Sequence, residues 1–255
     1  MALVAATIAV VFCAGAAAQR ISFTKVSRSV VDTRLELEAA NDAGRLANLK
    51  QGFQQAGCKD ENLVEQQVEG SELPNVVCTL QGTEDTVVVV GAHYDARNAD
   101  HAVVDNWSGA SLLPSLYEGL NKAERKHSFV FVGFAAKENG KKGSKSYVNG
   151  LSDEQKKNTR AMVNLDSLGM APTKVWVKDS NKNLTSLLAG VGQATKIEVM
   201  GSNVPQVGEG DAESFNKAKI PNVTVHSATT ENYRVRHGKD DNLDAINRDD
   251  YYNSY

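Results

Sequence analysis

Two stretches decide how this chain folds: Val87-Val88-Val89-Val90-Gly91-Ala92-His93-Tyr94-Asp95 and Ser128-Phe129-Val130-Phe131-Val132-Gly133-Phe134. Neither run alternates apolar with polar residues. A strand that is apolar at every position is covered on both faces, so the sheet holding these two lies between two layers of helix. In such a sheet ligands bind beyond the carboxyl ends of the strands. The residues that follow each apolar run are therefore the ones to search for chemistry.

Working outward, residues 32–55 carry Leu35, Leu37, Leu46, Leu49 and Phe53 among polar residues, the pattern of one long amphipathic helix ending at Gly57. Strands are expected at 75–80, 86–90, 128–134, 161–165, 174–177 and 222–226, and helices at 111–121, 143–149, 184–194 and 212–218. No repeat, low-complexity tract or linker divides the chain. The expectation is one three-layer α/β/α sandwich with a mostly parallel central sheet.

Composition agrees with a folded domain and excludes several partners. Of 255 residues 41% are hydrophobic and 23% charged, a globular balance rather than a disordered one. Twenty-eight Lys plus Arg against 31 Asp plus Glu leave a net charge of −3, which offers no surface for nucleic acid or an anionic membrane.

Residues 1–18 are apolar or small apart from Thr7, and Ala16-Ala17-Ala18 offers a small-x-small cleavage site. That reads as a secretory signal peptide, with residues 19–255 as a single domain, secreted or periplasmic and with no membrane attachment after cleavage. Cleavage removes Cys13 and leaves Cys58 and Cys78, either a disulfide closing a loop of about twenty residues or two buried thiols. Glycosylation sequons stand at Asn106, Asn183 and Asn222.

At the strand ends the polar residues converge. His93 and Asp95 follow the first run, Asp105 lies in the loop after it, Lys137-Glu138 follows the second, Asp166 follows strand 161–165, and a loop after strand 222–226 reaches His237 and Asp241. Each alone is an ordinary cap, turn or structural residue. Together they place imidazole and carboxylate donors, without thiolate, at one edge of one sheet, a set that suits a divalent ion, zinc first. Five such ligands with one bridging carboxylate are enough for two ions about 3.5–4 Å apart.

The segments GAHYD, VVDNWSGA, FAAKENGKKGS, VNLDSLG and VRHGKDDNLD, in this order, resemble the motif series of the M28 family of secreted zinc peptidases, with glutaminyl cyclase as a cousin. The resemblance implies a zinc-exopeptidase fold and aminopeptidase-type hydrolysis of peptide substrates. It implies His93 and Asp166 on one zinc, Glu138 and His237 on the other, and Asp105 bridging. Asp95 would orient His93 through its second ring nitrogen, and Asp241 would support His237 in a similar way. His101, His127 and His226 match no ligand position. Two ions per chain are expected, or one if the site is weakened.

The chain departs from the family at one position of consequence. The family pattern carries two consecutive acids before the Gly-rich turn, the first the general base and the second a ligand; here the pair is Lys137-Glu138. A protonated Lys accepts no proton, and losing a positioned base costs about 10²–10⁴ in rate. Three readings stay open: a peptidase with a weakened or reassigned base, a metal-binding pseudoenzyme, or an enzyme whose copy is altered at this codon. Glutaminyl cyclisation, on one zinc held by Asp105, Glu138 and His237, is the enzymatic alternative. Trp107 is a pocket or core residue. Arg234 and Arg236 are candidates to receive a substrate carboxylate, or solvated loop charges. A monomer is expected, and the chain stops just where Asp249-Asp250-Tyr251-Tyr252 begins what should be the last covering helix. If that helix is truncated, an apolar sheet face lies exposed.

Overall fold

The computed structural model describes residues 24–59, 61–97, 102–205 and 210–255. The segment read as a signal peptide, Cys13 and His101 lie outside these residues. In chain order the elements are α1 (Arg28–Glu36), α2 (Asp42–Gln55), β1 (Leu63–Gln66), β2 (Asn75–Leu80), β3 (Val87–His93), α3 (Ser108–Ala110), α4 (Leu112–Asn121) and β4 (Ser128–Phe134). Then come α5 (Lys142–Asn149), α6 (Asp153–Asn158), β5 (Thr159–Leu165), β6 (Lys174–Trp176), α7 (Lys182–Thr195), β7 (Met200–Gly201), α8 (Ala212–Lys217), β8 (Asn222–His226) and α9 (Arg248–Ser254).

The strands form one sheet in the order β1-β2-β4-β3-β5-β8-β6-β7. Its centre, β4-β3-β5-β8, is parallel, while β2 and β6 run antiparallel to their inner neighbours β4 and β8. The unbroken apolar runs have the expected cause. Successive side chains point to opposite faces, so Val90, Ala92 and Phe131 enter a core with Leu35, Phe53, Leu113 and Tyr117 from α1, α2 and α4. Their neighbours Val89, Val132 and Phe134 enter a second core with Tyr147, Val148 and Phe215 from α5 and α8.

The one long helix expected over 32–55 is instead two. Asn41 accepts a hydrogen bond from the Gly44 amide at 2.8 Å and starts α2 as its N-cap, so the capping residue interrupts the apolar period. β3 runs past its apolar core to His93, which delivers that imidazole to the sheet edge. Cys58, just after α2, is disulfide-bonded to Cys78 of β2. Among the described residues no helix is long and apolar enough to cross a membrane. At the other end α9 does form. Its Tyr251 is fully buried and donates to the Ser108 carbonyl at 3.0 Å, so this helix covers the start of α3 rather than leaving it bare.

Candidate metal centre

The donor residues arrive from four strand ends. His93 closes β3, Asp166 directly follows β5, Glu138 lies in the turn after β4, and His237 lies in the loop after β8; Asp105 sits in the wide turn Val103–Trp107 that leads into α3. Three residues beside or among these donors hold left-handed backbone without being glycine: Ala136 (φ 51°), Ser167 (58°) and His237 (63°). Each such residue costs of order 1–3 kcal/mol and persists only where its surroundings enforce it.

The turn carrying Asp105 is enforced residue by residue. Asn106 accepts from the Ser167 amide at 3.0 Å and donates to the Leu165 carbonyl at 2.9 Å, which staples the Asp105 turn to the Asp166 turn. Ser108 accepts from the Leu168 amide at 2.9 Å. Gly109 is required by proximity, because a Cβ there would lie 2.6 Å from the Leu165 carbonyl oxygen. Trp107, a pocket or core residue by sequence, is buried and donates to the Leu35 carbonyl at 2.9 Å, joining this turn to α1. Of the three sequons, Asn106 and Asn222 are buried and Asn183 is exposed.

Five side chains converge. Ligand atoms of His93, Asp105 and Asp166 lie within 4.8 Å of one another, as do those of Asp105, Glu138 and His237. Asp105 belongs to both groups. The first group is fully buried, whereas Glu138 and His237 reach the surface. His93 Nε2 is 3.0 Å from Asp105 Oδ1, and His237 Nε2 is 2.7 Å from Asp105 Oδ2.

Asp95 and Asp241 act on backbone more than on imidazole. The Asp95 carboxylate accepts from the Lys137 and Glu138 amides, each at 3.0 Å, and so sets the turn that aims Glu138. The second nitrogen of His93 meets the Asp95 carbonyl oxygen at 3.1 Å, closer than the carboxylate at 3.5 Å. Asp241 accepts from the amides of Val104 at 2.5 Å and His237 at 3.3 Å, joining the Asp105 turn to the His237 loop. His127 contacts Thr86 and His226 contacts the Ser202 carbonyl and the Ala228 amide, and neither belongs to the two donor groups.

Two cations stand inside it. Lys137 Nζ lies 2.6 Å from Glu138 Oε1 and 3.5 Å from Asp105 Oδ1. Arg236, a solvated or substrate-facing charge by sequence, is not solvated: it is buried, with Nη2 2.7 Å from Asp105 Oδ2 and Nε donating to Ser167 Oγ at 2.7 Å. Burial also sequesters the residue from loop solvent, which linear spacing does not reveal. Arg234 stays exposed over the Tyr233 ring.

The charges shift each other strongly. Burial resists ionisation of Asp105, yet Lys137, Arg236 and both histidines hold its carboxyl well below the usual range. Burial raises and His237 and Lys137 lower Glu138, to about 2 on balance. Burial and Lys137 push the His93 imidazolium down, but hydrogen bonds to Asp105 and Asp95 outweigh them and raise it to about 10. Hydrogen bonds to Asp105 and Glu138 raise His237 to about 9. Burial lowers Lys137, but the charges of Asp105, Asp166 and Glu138 prevail, so its ammonium stays protonated far above neutrality.

One residue of this neighbourhood gives no sign of itself in the linear chain. Asp211 precedes α8 and looks like an N-cap, yet its side chain caps nothing. Both its oxygens are buried with no hydrogen bond of good geometry among the described residues, and burial pushes its carboxyl up to about 6 against the pull of His93, Ser144 and Lys137. A Cβ on the preceding Gly210 would stand 3.0 Å from Asp166 Oδ2, which locates this segment beside the cluster. A single acid ahead of a helix carries no signal that separates the two roles.

Comparison with known proteins follows the same lines. Residues 75–254 match peptidase family M28. This chain belongs to that family. An aminopeptidase of Pseudomonas aeruginosa is 36% identical over 100 residues, 39% of this chain and 19% of that protein. The fold is that of the LapA aminopeptidase of Legionella pneumophila (TM-score 0.77, 19% identity, 89% of this chain and 66% of that one). It is also that of a glutaminyl cyclase from an Acidobacteriales bacterium (TM-score 0.72, 16% identity, 89% of each chain). The matched segments span 19% to 39% of the length of the curated relatives.

Proposed function

We propose that this chain is a zinc-dependent exopeptidase of the aminopeptidase type, slow because an ammonium stands where a carboxylate would take a proton. The observation that carries the proposal is the shared carboxylate: Asp105 belongs to both donor groups, the arrangement a bridging ligand needs. His93, Asp105 and Asp166 offer donors for one zinc position, and Asp105, Glu138 and His237 for a second. The donors are chemically apt. Asp105 Oδ2 is also fully buried and lies 2.7 Å from both Arg236 Nη2 and His237 Nε2, an oxygen placed among positive charge.

When bound, zinc supplies Lewis acidity toward a carbonyl oxygen and toward water. The chain's own groups then orient and exclude. Asp95 holds the Lys137–Glu138 backbone, Asp241 holds the backbone of Val104 and His237, and Asn106 locks the Asp105 turn to β5. Lys137 takes no proton, since three carboxylates keep it charged. The substrate class is peptides with a free N-terminus. The apolar leader and the Cys58–Cys78 disulfide support an exported protein, and a monomer is expected.

The test is hydrolysis of aminoacyl-p-nitroanilides by zinc-loaded wild type and Lys137→Glu. A gain of at least about tenfold is expected from restoring a base. No gain in a variant that retains its zinc overturns the proposal. The 2.6 Å contact of Lys137 with Glu138 favours a second reading, a binding protein on the peptidase fold without turnover. Cyclisation of N-terminal glutaminyl peptides, assayed alongside, addresses the cyclase alternative.

A further inference from the structure

Each half of the cluster contains its own cation. In the half made by His93, Asp105 and Asp166, the Arg236 guanidinium spans two carboxylates, with Nη2 2.7 Å from Asp105 Oδ2 and 3.6 Å from Asp166 Oδ1. In the half made by Asp105, Glu138 and His237, the Lys137 ammonium spans two carboxylates, 2.6 Å from Glu138 Oε1 and 3.5 Å from Asp105 Oδ1. Three buried or half-buried carboxylates that would repel one another are thus bridged in pairs by tethered charges.

We propose that Arg236 and Lys137 are built-in counter-ions, one per half, which assemble the cluster without metal and against which zinc must compete. This rests on the zinc reading above and concerns occupancy rather than turnover. With both histidines deprotonated, as zinc ligands must be, the three carboxylates and two cations leave one net negative charge. Two divalent ions added without displacing either cation would leave three positive charges in a largely buried site, which low-dielectric surroundings penalise heavily.

The two halves differ in how readily their cation leaves. Lys137 is a flexible point charge whose side chain is 11% exposed, in the half that reaches the surface. Arg236 is 6% exposed, and its fork is held a second time by Nε donating to Ser167 Oγ, which in turn donates to Asp166 Oδ1 at 2.6 Å. Zinc therefore enters the Asp105–Glu138–His237 half by turning Lys137 away from Glu138 and Asp105 Oδ1, while Arg236 stays on Asp105 Oδ2 and beside Asp166 and keeps the His93–Asp105–Asp166 half closed. The wild-type chain takes one zinc, not two.

Calorimetric titration of the chelator-stripped chain with zinc chloride tests this, with bound metal counted by atomic absorption. Wild type is expected to take one ion, Arg236→Met two, and Lys137→Met one with affinity raised about tenfold or more through removal of a nearby unit charge. Melting curves supply a second readout. Metal-free wild type should be insensitive to EDTA, whereas metal-free Arg236→Met should melt several degrees lower and recover with zinc. Arg236→Lys, which retains the charge but loses the hold on Ser167, should fall between wild type and Arg236→Met. Should Arg236→Met fail to fold even with zinc, the Lys137→Met affinity and the wild-type stoichiometry decide. Two ions on wild type, or unchanged stoichiometry and affinity in folded variants, overturn the inference. Hydrolysis enters none of these measurements, so failure of the exopeptidase reading is separately visible.

Discussion

The centre of the sheet and its β6–β7 margin are built on different terms. In β3, β4 and β5, alternate residues such as Val89 and Val90 or Phe131 and Val132 are buried on opposite faces, and the same strands end in the donor residues. At the margin, Leu187 of α7 is 63% exposed, Met200 of β7 43% and Val177 46%. Within α7 only Gly192 is buried. The difference teaches where precision is required. A cluster whose donor atoms must lie within 4.8 Å needs strands that cannot shift, and the margin carries no such demand.

The comparison can be broken at several points. The largest expected effect is at the centre: Phe131→Ala should destabilise by about 3–5 kcal/mol, since the ring is fully buried against Phe53 and Tyr117. Chemical denaturation measures it, and a loss under about 1 kcal/mol would deny the centre its rigidity. Next is the buried charge. Asp211 is raised from an ordinary carboxyl value to about 6. The folded state therefore binds the extra proton, and wild-type stability falls as pH rises from roughly 4 to 6. Asp211→Asn should be neutral near pH 4 and stabilising by about 2–3 kcal/mol above about pH 6.5. A pH-independent difference in melting would refute the role given to this acid. Asp241→Asn should cost about 1–3 kcal/mol, because the amides of Val104 and His237 lose a charged acceptor. The same substitution should weaken zinc binding, read by titration. The smallest effect is at the margin, where Leu187→Gln should stay within about 0.5 kcal/mol; a large loss would show that something covers α7.

Much of the centre was legible in the linear chain because its signals are local. Unbroken runs of Val and Phe report two-sided burial wherever they occur, and the five donors follow such runs closely enough for strand-end logic to find them. What was illegible depends on distant neighbours. The helix expected over 32–55 broke at Asn41, where a capping hydrogen bond outweighed a continuing apolar period. Trp107 became a core residue because α1 packs over its turn. Arg236 read as a carboxylate contact or a loop charge and Asp211 drew no reading at all, since burial is a property of what folds over a residue.

By itself, then, the sequence determined the layered α/β architecture, the order of the metal-type donors and the exchange of an acid for Lys137. The first two follow from periodicity and residue chemistry and the third from the family resemblance, all of which survive without coordinates. Only the tertiary structure decided that Lys137 and Arg236 each lie between two carboxylates, one in each half of the cluster. Coulomb energy depends on separation and local dielectric, and both come into existence only when residues 105, 137, 138, 166 and 236 are folded onto one edge.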